Sequence, residues 1–167
     1  YKFIFEDLQT HGIKHTEEQF LNDFGYTLYD RFIVNTVPLS SGTIGQVYEA
    51  YDEYSNKVII KVKHPGIERK TEIQINIVLW LIDCYLRVFK KVPYIVRALD
   101  VDGFVNSFKN QLSFINEAKS LEKYRTNFEN VKGIHFPNPI QYTENIIIME
   151  YVKGKSYHEL SFMEQCH

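Results

Sequence analysis

Lys57-Val58-Ile59-Ile60-Lys61-Val62-Lys63, followed at once by His64-Pro65-Gly66, is the stretch on which the fold turns. Strand side chains alternate, so Val58, Ile60 and Val62 point to one face and Lys57, Ile59, Lys61 and Lys63 to the other. The proline-glycine pair ends the strand. Lys61 lies between two apolar neighbours in mid-strand, where an ammonium usually needs a partner. Read alone, the strand is more simply a solvated sheet face whose lysines guard an edge.

Residues 46–51 form a second strand, joined to the first by the polar turn Asp52-Glu53-Tyr54-Ser55-Asn56. Residues 31–39 form an earlier strand, weakened near its end by Pro38, which cannot donate to a ladder. Between these two lies the small-residue turn Ser40-Ser41-Gly42-Thr43-Ile44-Gly45. Further upstream, Thr16 followed by Glu17-Glu18-Gln19 has the spacing of a capping box, and Gly25 closes the helix so begun, with Phe20, Leu21 and Phe24 on its apolar face.

Downstream, residues 71–89 predict a helix apolar on most faces, followed by a break at Pro93. A second helix runs from about 101 to 128, with Phe104, Phe108, Leu112, Ile115 and Ala118 at steps of three and four. Gly133 and Pro137-Asn138-Pro139 interrupt the chain. A last hairpin pairs residues 140–142 with 146–152 around Thr143-Glu144-Asn145, and Gly154 marks an exit. The order helix, three strands, two helices, two strands predicts an α+β fold: a five-stranded antiparallel sheet with helices packed on one side.

The 167 residues suit one domain or a piece of a larger one, and the net charge of −2 argues against a dedicated nucleic-acid binder. An aromatic fraction of 15% argues against disorder. Cys84 and Cys166 are too few and too far apart for a disulfide framework or a structural metal site, which makes a reducing intracellular compartment the default. The most apolar stretch, residues 73–89, holds Gln74, Asn76, Asp83 and Arg87, so it reads as a buried or surface-docking helix and not a spanning one. The first residue is Tyr1 and not methionine, so further sequence is expected before it.

Three further features carry chemistry. Small residues in the 40–45 turn let backbone amides approach an anion, and the hydroxyls of Ser40, Ser41 and Thr43 add donors; in isolation the turn is an ordinary hairpin connection. Its position one strand before Lys61 would let a nucleotide's phosphates bridge the two. Glu117 shares a helix ridge with Phe114, Leu121 and Tyr124, and a carboxylate there is either partnered, with Lys61 as a candidate, or at a solvent edge. Residues 146–152 lead into Lys153-Gly154, either a hinge to a second lobe or simply a buried strand.

Taken in order, these residues resemble the UbiB/ADCK family of atypical kinases. The run Pro38-Leu39-Ser40-Ser41-Gly42-Thr43-Ile44-Gly45-Gln46-Val47-Tyr48-Glu49-Ala50 is similar to that family's alanine-rich loop, and residues 58–67 to its V-A-V-K strand and P-G turn. Gln111-Leu112-Ser113-Phe114 with Glu117-Ala118 resembles its helix motif ending in E-A, and Met149-Glu150-Tyr151-Val152-Lys153-Gly154 its hinge. Serines and a glycine stand where the family favours alanines, and Gln111 and Ser113 where many members carry E-x-D.

The resemblance implies a protein-kinase-like N-terminal lobe over residues 31–152. A helical extension over 1–30 would precede it, and 153–167 would begin a second lobe. Lys61 would contact nucleotide phosphates and pair with Glu117. Ser40, Ser41, Gly42, Thr43, Ile44, Gly45 and Val47 would cover the phosphates, and Glu150, Tyr151 and Val152 would meet adenine. ATP or ADP with magnesium is the implied cofactor. The metal ligands and catalytic loop are expected in the second lobe, so this chain alone should not turn over ATP. Family members are linked to ubiquinone and lipid-related functions, which implies a lipid or quinone-related small molecule and peripheral membrane contact as partners of the parent. A pseudokinase or lipid-binding scaffold, motivated by Gln111 and Ser113, is the rival reading.

Overall fold

The computed structural model describes residues 10–88 and 100–154. At its centre is an antiparallel sheet of β1 (Phe32–Val34), β2 (Ser40–Ser41), β3 (Gly45–Asp52), β4 (Lys57–Lys63), β5 (Pro139–Tyr142) and β6 (Ile146–Glu150). The spatial order is β1-β3-β4-β6-β5, with the two-residue β2 also on β3. The helices are α1 (Ile13–Phe24), α2 (Leu28–Arg31), α3 (Ile67–Val88), α4 (Val101–Asn110) and α5 (Phe114–Asn127). The α+β expectation holds, with six strands in place of five.

β4 occupies the middle because it can serve two faces at once. Val58, Ile60 and Val62 lie opposite Ala50, Tyr48 and Gln46 of β3, and Ile60 and Val62 lie opposite Ile148 and Ile146 of β6. Directly opposed residues share a face. This face is sealed by α1 and α2, whose Phe20 and Leu28 join Tyr48, Ala50, Val58, Ile60, Val62, Ile146 and Ile148 in one buried cluster. On the reverse face, among the described residues, only Phe114, Ala118 and Ile147 are fully buried together, with α5 as the cover. Nine core residues against three make the first face the one that holds the fold, each large apolar side chain contributing about 1.5–3 kcal/mol. Helices therefore lie on both faces, not one.

Several boundaries differ from the sequence expectation. Thr16 caps nothing: it is fully buried inside α1, which starts three residues earlier after Gly12. The reciprocal N-terminal carboxylate belongs instead to Asp30, which accepts the Thr27 N–H at 2.8 Å ahead of α2. Gly25 does close α1, at φ 77°, with its N–H on Leu21 O. The strand expected over 31–39 stops at Val34, where Asn35 turns back to accept the Val37 N–H at 3.1 Å. The single helix expected over 101–128 is two, because Ser113 leaves the helical conformation and caps α5 by accepting the Asn116 N–H. α3 begins at Ile67, ahead of the expected 71; its expected end at Phe89, the break at Pro93 and Cys166 lie outside the described residues.

Asp23, near the end of α1, accepts from the Thr143 hydroxyl and from Asn145 Nδ2, tying the first helix to the last hairpin turn. Gly45 opens β3 against β4 so closely that a Cβ there would stand 2.3 Å from Val62 O. Gly45→Ala should cost about 1–3 kcal/mol, seen as a lower urea midpoint at unchanged slope.

Candidate functional site

The less buried face of the sheet carries the site. Lys61 lies opposite Val47 of β3 and Ile147 of β6, so all three share that face. Its Nζ donates to both carboxylate oxygens of Glu117, at 2.9 Å to Oε1 and 2.7 Å to Oε2. The ammonium also stands 4.7 Å from the centre of the Phe114 ring. The Ser113 cap fixes where α5 begins, which sets Phe114 at its first turn and Glu117 one turn on, level with the strand lysine. The lysine and glutamate side chains keep 25% and 35% of their exposure, so water reaches the pair.

The other lysines of β4 are occupied as well. Lys57 Nζ meets Glu49 Oε1 at 2.8 Å and stands 4.0 Å from the centre of the Tyr151 ring. Lys63 is nearly buried and donates to Glu68 Oε1 at 2.9 Å. Burial pushes the Glu68 carboxyl up, but the hydrogen bond and charge of Lys63, with a backbone bond, outweigh it and leave it below its usual range. No lysine of this strand is a free edge guard.

The 40–45 loop folds back on itself through Gly42 N–H to Gly45 O at 2.9 Å. Ser40 opposes Val47, so it shares the face of Lys61; Ser41 opposes Gln46, on the face of α1. Ser41 is accordingly buried, its hydroxyl 3.4 Å from His64 Nε2, while Thr43 stays exposed. Ile44 packs with Phe114 in the reverse-face cluster. The structure thus brings Ser40, Ile44, Val47, Lys61 and Glu117 together and turns Ser41 away.

At the far end of β6, Glu150 N–H donates to Asn138 O at 2.9 Å, and its carboxylate accepts the Asn138 N–H at 3.2 Å. Tyr151 N–H reaches Lys57 O at 3.4 Å, and Val152 is exposed beyond it. Among the described residues no group of three or more His, Cys, Asp or Glu could hold a metal ion.

A family model for the ABC1 atypical kinase-like domain matches residues 6–167. The chain belongs to the ABC1 atypical kinase-like family. That finding carries the UbiB/ADCK resemblance with it. Similar curated proteins include the ABC1 family protein MCP2 of Saccharomyces cerevisiae, 26% identical over 89% of this chain and 27% of its own length. AarF domain-containing protein kinase 1 of Mus musculus is 24% identical over 86% of this chain and 27% of its own. An uncharacterised Clostridium pasteurianum protein is 28% identical over 83% and 26%. The chain spans about a quarter of the length of these relatives. Rv3197 of Mycobacterium tuberculosis, solved in complex with erythromycin, shares the fold with a TM-score of 0.69 at 19% identity, over 90% of this chain and 38% of its own.

In this ABC1-type lobe a polar cluster behind the loop escapes the sequence reading. Gln46, fully buried, clasps the His11 peptide from both sides: its Oε1 accepts the His11 N–H at 3.1 Å and its Nε2 donates to His11 O at 3.0 Å. The same amide meets the Tyr48 hydroxyl, which lies 2.9 Å from Thr16 Oγ1. The His11 ring sits between Thr16 and His64, with the His15 ring edge-on at 4.7 Å. The one available signal was a glutamine at an inward strand position beside Tyr48 and Ala50, since a polar group there must find partners.

Burial, then the neighbouring His15 and His64, pushes His11 from 6.5 down to about 4. The unfolded chain therefore binds the extra proton first, and stability contributed by His11 is complete above 6.5 and is lost as pH falls toward 4. Chemical denaturation across that window should show this decline, and His11→Gln should flatten it. Lys61→Met, in contrast, should change stability by no more than about 1 kcal/mol, because part-exposed ion pairs contribute ~0–1 kcal/mol.

Proposed function

We propose that this chain is the nucleotide-binding N-terminal lobe of an atypical kinase or ATPase, taking ATP or ADP together with magnesium for phosphoryl transfer or hydrolysis linked to lipid or quinone metabolism. The observation that carries the reading is the Lys61–Glu117 pair, held bidentate and water-accessible on the face that Ser40 and Val47 border. An ammonium so held is fixed in position while its remaining donor capacity faces outward. The residues suit a polyphosphate: Lys61 supplies charge, and Ser40, Thr43 and the loop amides supply donors.

Glu150 to Val152 would receive the base. Glu150 lies three residues along β6 from Ile147, the partner of Lys61, which at strand rise is about 10 Å. That is the scale over which a ribose joins a base to its phosphates. Ser41 takes no part in binding on this reading. The division into an extension over 1–30, a lobe over 31–152 and the start of a second lobe over 153–167 belongs to the same proposal. So does the assignment of the magnesium ligands to the second lobe.

A second reading, a lipid-binding scaffold without catalysis, has one observation in its favour. α3 leaves Ile73, Ile77, Trp80 and Leu81 at least half exposed. Among the described residues, no helix is long and apolar enough to cross a membrane, so contact through α3 would be peripheral.

Calorimetry with magnesium-ATP on the full-length parent separates the two. Hydrogen bonds to a charged group contribute about 1.5–3 kcal/mol, so Lys61→Ala should weaken binding roughly 10- to 150-fold. Absence of binding by a folded wild-type parent would overturn the nucleotide reading and favour the scaffold.

A further inference from the structure

The hydrogen bonds behind the loop admit one arrangement of protons when both histidine rings are neutral. The Gly42 carbonyl can only accept, so His64 Nε2, 2.9 Å away, carries a proton and donates to it. His64 Nδ1 is then an acceptor, and the His11 Nδ1 at 2.9 Å must donate. His11 Nε2 in turn accepts from the Thr16 hydroxyl at 3.1 Å, and Thr16 accepts from Tyr48. Tyr48 accepts from Gln46, whose orientation the His11 peptide fixes. Every donor from Gln46 to Gly42 then has an acceptor; Gln46 Nε2 serves both Tyr48 and the His11 carbonyl, and the Ser41 hydroxyl lies 3.4 Å from His64 Nε2 beside the shorter bond to Gly42.

An added proton would break this order, since a protonated ring has no acceptor for its neighbour. The surroundings also oppose it. His11 faces His15 and Thr16 on α1 and His64 after β4, with Tyr48 of β3 behind Thr16. A cavity of about 400 Å³ beside it is lined by Thr10, Thr43, Lys70 and Gln74, among others, with no carboxylate among the described residues lining it.

We propose that His64 and His11 are positioning residues for the nucleotide loop: a proton-ordered chain running from the segment before α1 ends on the Gly42 carbonyl and holds the 40–45 turn in its phosphate-facing shape. This rests on the nucleotide reading of the site. On this reading both rings act through the loop and not on the nucleotide itself. Gly42 also donates its N–H to Gly45 O; that N–H belongs to the 41–42 peptide and the carbonyl to the 42–43 peptide, so the two bonds hold the peptide planes on both sides of the Gly42 Cα. The latch works by constraint, since a loop already in its binding shape loses less conformational freedom when it binds.

Three measurements on the full-length parent test this. Nitrogen-15 spectra of the rings near neutral pH should show His64 protonated on Nε2 and His11 on Nδ1, the less common form; His11 protonated on Nε2 would overturn the chain. Amide exchange in nucleotide-free protein should quicken at Gly42 roughly tenfold in His64→Leu and not in His64→Gln, whose amide can still donate to the Gly42 carbonyl. Magnesium-ATP affinity should fall roughly tenfold in His64→Leu and recover to within about threefold of wild type in His64→Gln. Equal exchange and affinity in wild type and His64→Leu would overturn the positioning role. If Lys61→Ala binds ATP as wild type does while exchange follows His64, the nucleotide assignment fails and the latch on the loop stands.

Discussion

A strand buried in the middle of a sheet has two faces to satisfy, and β4 meets that constraint with two different chemistries. Val58, Ile60 and Val62 face the α1 side, and its lysines with Ile59 take the reverse side, where Lys61 meets Glu117 of α5. Because the hydrophobic contribution is concentrated on the α1 side, the reverse side is free to hold an ammonium, a carboxylate and an open approach. Reversing the register of β4 by one residue would send Lys61 into the cluster around Phe20 and expose Val62. The position of the site is thus a consequence of where the core is.

The two polar systems of the lobe follow opposite logic. Lys61 and Glu117 remain partly in water, so their attraction is screened and their geometry contributes little to stability. The Gln46–Tyr48–Thr16–His11–His64 chain lies at or near the core, where a lost partner leaves a desolvated group. One stays open to solvent, and the other is placed so that it resists disturbance. They meet at the 40–45 loop, whose Ser40 belongs to the first side and Ser41 to the second.

Features written in local pattern were legible in the sequence. The alternation of 57–63, the small-residue turn at 40–45 and the helical steps that put Glu117 beside Phe114 all act over a few residues, and the structure reproduces them. Thr16 misled because its spacing to Gln19 imitates a capping box, whereas a hydroxyl from Tyr48, 32 residues on, claims it. Ser113 misled because a serine between the ridge residues Leu112 and Phe114 looks like part of one continuous helix, and only its bond to Asn116 reveals a cap. The histidine cluster was invisible because its contacts span 35 and 53 residues, and no periodicity encodes a partner at that distance.

The bonds from Asp23 to Thr143 and Asn145 connect positions 120 and 122 residues apart. Ile146 and Ile148, which complete the cluster around Phe20, arrive just as late. During synthesis at roughly 5–20 residues per second, α1 is finished about 6–24 seconds before its final partners exist. Until then Phe20 and Phe24 have an incomplete surface to pack on. The closing of this sheet therefore waits for the β5–β6 hairpin, and its high contact separation makes closure slow. The interval in which the first helix is most exposed to wrong partners is set by the last hairpin.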